Sequence, residues 1–139
     1  MSSTLFFLAI VLILSLLFLM AIKRVRDGSF YGDTFWLLPL GVYVWGDALI
    51  LLPFWILVSA VCLLSGVSGL VLTRLYLIFI AVRSAYEVVY WLLHQATKDT
   101  YRPPLIHKFT SLPPREGAIL YQLAHMCMLA LTIWLLLLL

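Results

Sequence analysis

Charge is scarce in this sequence of 139 residues: only 11% of them are charged, whereas 65% are hydrophobic. That composition excludes an intrinsically disordered chain and is far from that of an ordinary soluble domain. Nine basic and six acidic residues leave a net charge of +3. The basic residues flank apolar runs, so the sequence favours anionic lipid headgroups as partners and indicates no nucleic acid.

Cysteine is also scarce. Cys62 and Cys127 both lie inside apolar runs, and they form neither a CxxC motif nor a Cys/His spacing typical of zinc. A disulfide between them is not expected, because the two runs place them at different depths, and both thiols are interpreted as small apolar residues. No Gly-rich phosphate loop and no serine-nucleophile motif is legible. The sequence predicts no metal and no cofactor, and an enzyme is the less favoured class.

Long apolar runs are what the sequence has instead. A helix of about 20 apolar residues crosses the hydrocarbon core of a bilayer. Four runs reach that length and predict an all-α fold, an integral membrane four-helix bundle built as a single domain over residues 1–139. The approximate spans are 4–22, 35–64, 70–95 and 118–139.

The second run, 35–64, is longer than one crossing requires, and two prolines and two glycines interrupt it. One continuous, kinked and tilted helix is the favoured interpretation. In the alternative, the first ten residues of the run lie at the membrane interface. Asp47 then caps a helix that begins near Ala48, because a carboxylate accepts hydrogen bonds from free helix N–H groups.

Basic residues predict the orientation. Seven of the nine lie in the loops 23–34 and 96–117, and Arg74 and Arg83 lie inside the third run, whereas the second loop and both termini have none. Positive charge marks cytoplasmic loops, so both termini are predicted to face outside. By default the membrane is a bacterial inner membrane or a plasma membrane. The predicted contacts with anionic headgroups are Lys23, Arg24, Arg26, Lys98, Arg102 and Lys108.

Polar residues inside the last two runs follow helical spacing. Arg83, Glu87, Tyr90 and His94 share one face of the third run, and Tyr121 lies on a similar stripe of the fourth run. A charged side chain in hydrocarbon costs about 2.5–3.5 kcal/mol. We therefore expect both stripes to face inward, whereas the first run is expected to be peripheral.

Depth counted from the cytoplasmic ends places Glu87 level with His125, with Arg83 one turn farther out. A continuous second helix would add Asp47 at a similar depth. These charges balance only if His125 is protonated or one carboxyl group holds a proton. The predicted buried polar cluster is Asp47, Arg83, Glu87 and His125, supported by Tyr43, Tyr90, His94 and Tyr121.

Three classes of function remain open. The leading prediction is an interaction or accessory subunit of a membrane assembly, with a protein partner or a second copy, in which the cluster holds the helices together. The alternative is a small oligomeric proton-linked transporter or channel that works through Glu87 and His125. The third is an intramembrane enzyme or a metal or haem protein. Haem is disfavoured because His94 and His125 differ in depth by roughly 9 Å.

Overall fold

The computed structural model describes residues 3–94 and 111–139, apart from the side chains of Ser3, Phe35 and Pro114. Within these residues the chain forms four long α-helices, one 3₁₀ helix and no β-strand. The four α-helices are long and apolar enough to cross a membrane, so the predicted all-α class with four candidate spans is confirmed. The elements are α1 (Ser3–Arg26), the 3₁₀ helix (Phe35–Leu40), α2 (Trp45–Leu64), α3 (Gly69–His94) and α4 (Pro114–Leu138).

The chain divides into two compact units, Met1–Thr73 and Arg74–Leu139. In the first unit α1 packs against α2. α1 buries only Phe7, Leu14 and Ala21, which recur every seven residues and so form one line along the helix. The buried residues of α2 recur every three or four positions and form its packing face: Trp45, Gly46, Ala48, Leu52, Trp55, Ser59 and Cys62.

The favoured continuous helix over residues 35–64 does not form. The 3₁₀ helix ends at Gly41, which adopts a left-handed conformation with φ 73°. The chain then runs to Val44, whose backbone is extended and pairs with Asp33 in an isolated antiparallel bridge. A left-handed residue cannot continue a helix, and Pro39 lacks the N–H that an α-helical hydrogen bond would need.

α2 begins at Trp45, three residues before the start expected in the alternative interpretation. Asp47 lies in its first turn, and its Oδ2 accepts a hydrogen bond from the backbone N–H of Tyr43 at 3.2 Å. A carboxylate at this position is also favoured by the positive end of the helix dipole. Asp47 therefore stabilises the start of α2.

Turn-forming residues precede both α3 and α4. α2 ends in a Schellman motif, in which Gly66 has φ 63° and the N–H of Val67 donates to the carbonyl of Cys62. α4 begins at Pro114, where a missing N–H costs nothing because the first helical N–H groups have no partner in the helix. Residues 95–110 lie outside the described part of the chain, and with them Lys98, Arg102 and Lys108.

The second unit pairs α3 with α4 in antiparallel register. Near its start, Arg74 donates a hydrogen bond from Nη2 to the carbonyl oxygen of Leu139. Nearer the end of α3, the Nε2 of Gln122 donates to the carbonyl oxygen of Val88 at 3.2 Å. Late residues of α3 thus face early residues of α4. The buried polar residues of this unit are Ser84, Glu87, Gln122, His125 and Thr132.

Candidate functional site

A partly buried ion pair lies on one face of α3. Arg83 Nη2 is 3.2 Å from Glu87 Oε1, one helical turn along the chain. The other carboxylate oxygen, Oε2, accepts a hydrogen bond from Trp91 Nε1 at 2.9 Å. Both oxygens of Glu87 therefore have partners on its own helix, one turn before it and one turn after it.

Arg83 is the more accessible member of the pair. Its side chain keeps 23% of its surface exposed, against 9% for that of Glu87. The guanidinium carbon lies 5.7 Å from the ring centre of Tyr86, in the range of a cation–π contact. Arg83 is thus held between a carboxylate and an aromatic face.

α4 completes the site with an imidazole and a phenol. His125 Nδ1 lies 3.4 Å from the hydroxyl oxygen of Ser84 on α3, a long hydrogen bond whose direction depends on the tautomer. The His125 ring packs edge-to-face on Tyr121 at 4.6 Å, and Tyr121 packs in the same way on Trp91 at 5.7 Å. Two contacts therefore join α3 to α4, one between Ser84 and His125 and one between Trp91 and Tyr121. We call this set the α3–α4 polar cluster: Arg83, Ser84, Glu87, Trp91, Tyr121 and His125.

The observed register differs from the predicted depth match. His125 contacts Ser84, which precedes Glu87 by almost one turn, whereas the sequence placed Glu87 level with His125. The predicted depth of His125 was measured from residue 118, the first apolar position of the fourth run. The helix begins four residues earlier, at Pro114, so a count from apolar run ends misjudges its height.

Asp47 and Tyr43 belong to the first unit, where the carboxylate of Asp47 accepts the N–H of Tyr43. In the second unit one cation, Arg83, faces one anion, Glu87, so the ion pair is neutral as a whole. Within this pair the charges therefore balance. The wider cluster with Asp47, which balances only with a protonated His125 or a protonated carboxyl group, stays a prediction.

The remaining supporting residues form an aromatic row on α3. His94 stacks on Tyr90 with ring centres 4.1 Å apart, and its Nδ1 lies 2.7 Å from the carbonyl oxygen of Tyr90. Tyr90 in turn stacks on Tyr86 at 6.0 Å. Since Tyr86 also contacts Arg83, the row runs from the polar cluster to the last residue of α3.

Sequence reasoning missed Ser84 and Trp91 as members of the cluster. Trp91 had a detectable signal, because it follows Glu87 by four residues and its indole N–H needs an acceptor when buried. Ser84 had a weaker one, because serine is common in helices and often bonds to its own backbone. Its contact with His125 depends on the helix register.

The geometry is poor for nucleophilic catalysis. Ser84 is only 1% exposed, so a substrate carbonyl could not reach its hydroxyl without separating the helices. Glu87, the acid nearest in sequence, is already bonded to Arg83 and Trp91. Among the described residues, no group of three His, Cys, Asp or Glu side chains could hold a metal ion. The contacts between the helices, from His125 to Ser84 and from Tyr121 to Trp91, instead hold α3 against α4.

Comparison with known proteins returned no match, since no family model, no curated protein and no solved structure is significantly similar to this chain. The features of the chain that bear on function are therefore the α3–α4 polar cluster and the surface of the helices.

Proposed function

We propose that this protein is a small four-span membrane protein that acts as an interaction or accessory subunit of a membrane assembly. In this proposal the α3–α4 polar cluster is an internal clamp that fixes the helices which face the partner. The proposed partner is another membrane protein or a second copy of the chain. The proposed location is a bacterial inner membrane or a plasma membrane.

The surface of the helices supports a bilayer environment. Large apolar side chains are exposed along each of the four α-helices, among them Leu12 on α1, Ile50 on α2, Val82 on α3 and Leu131 on α4. Soluble monomers rarely expose apolar surface on this scale. In the proposed orientation the loop 23–34 is cytoplasmic and both termini lie outside, as the basic residues indicate.

The main support for a static clamp is that both carboxylate oxygens of Glu87 have partners. A carboxylate that carries protons must exchange partners during each cycle. Glu87 is buried and holds Arg83 with one oxygen and the Trp91 indole with the other. Releasing either partner in a medium of low dielectric is costly, so the arrangement favours a static role.

A proton-linked transporter or channel remains the alternative, and one observation favours it. The aromatic row Tyr86–Tyr90–His94 extends from Arg83 to the end of α3, and two of its members carry hydroxyl groups. Hydroxyl and imidazole groups in series can pass protons. In this alternative Glu87 and His125 would exchange protons with that row.

The test separates the two functions in one preparation. The full chain is purified in mild detergent after crosslinking in its membrane, and a portion is reconstituted in liposomes for proton-flux measurements. Glu87→Gln is compared with Glu116→Gln, an exposed acid in the first turn of α4. We expect a stoichiometric partner or homo-oligomer, and the same background flux in all three proteins. Proton flux that Glu87→Gln abolishes and Glu116→Gln leaves intact would overturn the clamp in favour of the alternative.

A further inference from the structure

The segment between α1 and α2, residues 27–44, is an ordered structure, which we call the connector. The chain reverses its direction within the connector, and backbone hydrogen bonds join its two ends. The N–H of Thr34 donates to the carbonyl oxygen of Tyr43 at 3.0 Å, and the N–H of Trp45 donates to the carbonyl oxygen of Gly32 at 3.1 Å. The Thr34 hydroxyl adds a bond to the carbonyl of Val42 at 2.9 Å. A fixed connector can present side chains in a fixed arrangement.

The connector has two distinct faces. Thr34, Leu37 and Val42 are fully or almost fully buried in the first unit. Tyr31 and Trp36, in contrast, are 77% and 52% exposed. Exposed tyrosine and tryptophan are typical of membrane–water interfaces, where the ring contacts acyl chains and the polar atom contacts headgroups.

Basic side chains border the exposed aromatic face. Lys23, Arg24 and Arg26 occupy the last turn of α1, and all three are exposed. The guanidinium of Arg24 lies 5.9 Å from the ring centre of Trp45, and Trp45 packs edge-to-face on Trp36 at 6.0 Å. Arg24 is thereby held near the aromatic face.

Two acids lie nearby, the exposed Asp27 and the half-buried Asp33, so three cations face two anions. Lys23 and Arg26 are both exposed, so an external anion can reach their charges. The local surplus is positive, and it lies beside residues suited to the interface.

We propose that the connector and the last turn of α1 form a binding surface for the phosphate groups of anionic phospholipids. This inference rests on the membrane location in the proposed function, and it extends the predicted headgroup contacts of the basic residues to a surface that includes the aromatic side chains of the connector. Lys23 and Arg26 bind the phosphate oxygens, while Trp36 and Tyr31 contact the glycerol and upper acyl region. Basic side chains near an anionic leaflet gain about 1 kcal/mol each, which is the charge complementarity that selects this ligand.

The first test measures lipid binding to the full chain in detergent by native mass spectrometry, with phosphatidylglycerol and phosphatidylcholine as probes. The double variant Lys23→Gln/Arg26→Gln is expected to bind phosphatidylglycerol about 30-fold more weakly than the original protein. The charge-retaining control Lys23→Arg/Arg26→Lys is expected to stay within about 3-fold. Equal binding of the two lipids by the original protein, or undiminished phosphatidylglycerol binding by the double variant, would overturn the proposal.

A second measurement leaves the basic residues intact. Quenching of tryptophan fluorescence by brominated phosphatidylglycerol and phosphatidylcholine is recorded for the original chain and for Trp36→Phe. The difference between the two proteins isolates Trp36, and we expect stronger quenching by the anionic lipid. Equal quenching by both lipids would contradict the inference.

Flotation with lipid vesicles distinguishes a wrong membrane location from a wrong headgroup surface. If the membrane location is wrong, the original protein will not float with phosphatidylcholine vesicles. If only the headgroup surface is wrong, the protein floats with those vesicles and shows no preference for phosphatidylglycerol.

Discussion

Glu87 joins the α3 residues of the α3–α4 polar cluster to one another, because it bonds to both Arg83 and Trp91. Glu87→Gln keeps the side-chain volume and removes the charge, which leaves the Arg83 guanidinium without its counterion. We expect the free energy of unfolding in detergent to fall by about 2 kcal/mol, as for other partly buried charged contacts. Thermal unfolding measures the change, and the exposed-acid control Glu116→Gln should stay within about 0.5 kcal/mol. If the two variants were equally stable, Glu87 would have no structural role in the cluster.

A substitution of Trp91 distinguishes its hydrogen bond to Glu87 from its aromatic packing against Tyr121. Trp91→Phe deletes the Nε1 donor to Glu87 but keeps an aromatic ring beside Tyr121. We expect a loss of about 1–2 kcal/mol, whereas Trp134→Phe, on an exposed surface of α4, should be nearly neutral. Combined with Glu87→Gln, the loss should be smaller than the sum of the two single losses, because Trp91→Phe removes the bond that Glu87→Gln weakens. Strict additivity in thermal unfolding would show that the two side chains act separately.

At the residue scale, the sequence was sufficient to select Arg83, Glu87 and His125 as polar positions in apolar helices. The structure brings Arg83 and Glu87 together as an ion pair and buries His125. The partners of these residues could not be predicted. Whether His125 contacts Ser84 depends on where α4 begins, and a shift of one turn would change every interhelical partner.

At the element scale, hydrophobic run length predicted the helices more reliably than their interruptions. The predicted spans agree with the observed α-helices to within four residues at each end, except in the second run. There both Gly41 and Gly46 interrupt the apolar pattern, but only Gly41 takes a left-handed conformation and ends a helix. Gly46 lies inside α2. Sequence alone does not distinguish the two, because glycine is tolerated in either role.

Gly46 is required by a close approach between α2 and the connector. A Cβ atom at this position would lie 2.6 Å from the ring of Phe30, and the N–H of Gly46 already bonds to the carbonyl of Phe30 at 2.9 Å. Gly46→Ala should therefore cost about 1–3 kcal/mol through overpacking. Thermal unfolding is the measurement, and Gly69→Ala is the control, since its nearest neighbour, in Phe6, is at 3.9 Å.

Phe30 also supplies the rescue for this prediction. A Gly46→Ala/Phe30→Leu double variant should recover part of the lost stability, because leucine lacks the rigid ring that Cβ would meet. If Gly46→Ala is as stable as Gly69→Ala, or if Phe30→Leu only adds to its loss, the close approach is not what constrains this position.

At the scale of the whole molecule, the two units use different contacts to hold their helices. α1 and α2 pack through apolar and small residues, whereas α3 and α4 share the polar cluster. Lipid provides little hydrophobic drive for helix association, so packing and polar contacts must supply it. Polar substitutions should therefore act mainly on the second unit, and volume changes mainly on the first.

Orientation is a property of the whole molecule and depends on the charge of the loop 23–34. In a background of Cys62→Ala and Cys127→Ala, single thiols are introduced as Ser29→Cys and Ser68→Cys. Positive charge retains the first loop in the cytoplasm, so a membrane-impermeant maleimide should label Ser68→Cys on intact cells and Ser29→Cys only after permeabilisation. The reverse pattern would invert the proposed orientation. Labelling of both thiols on intact cells would show that the intervening helix, α2, does not cross the membrane.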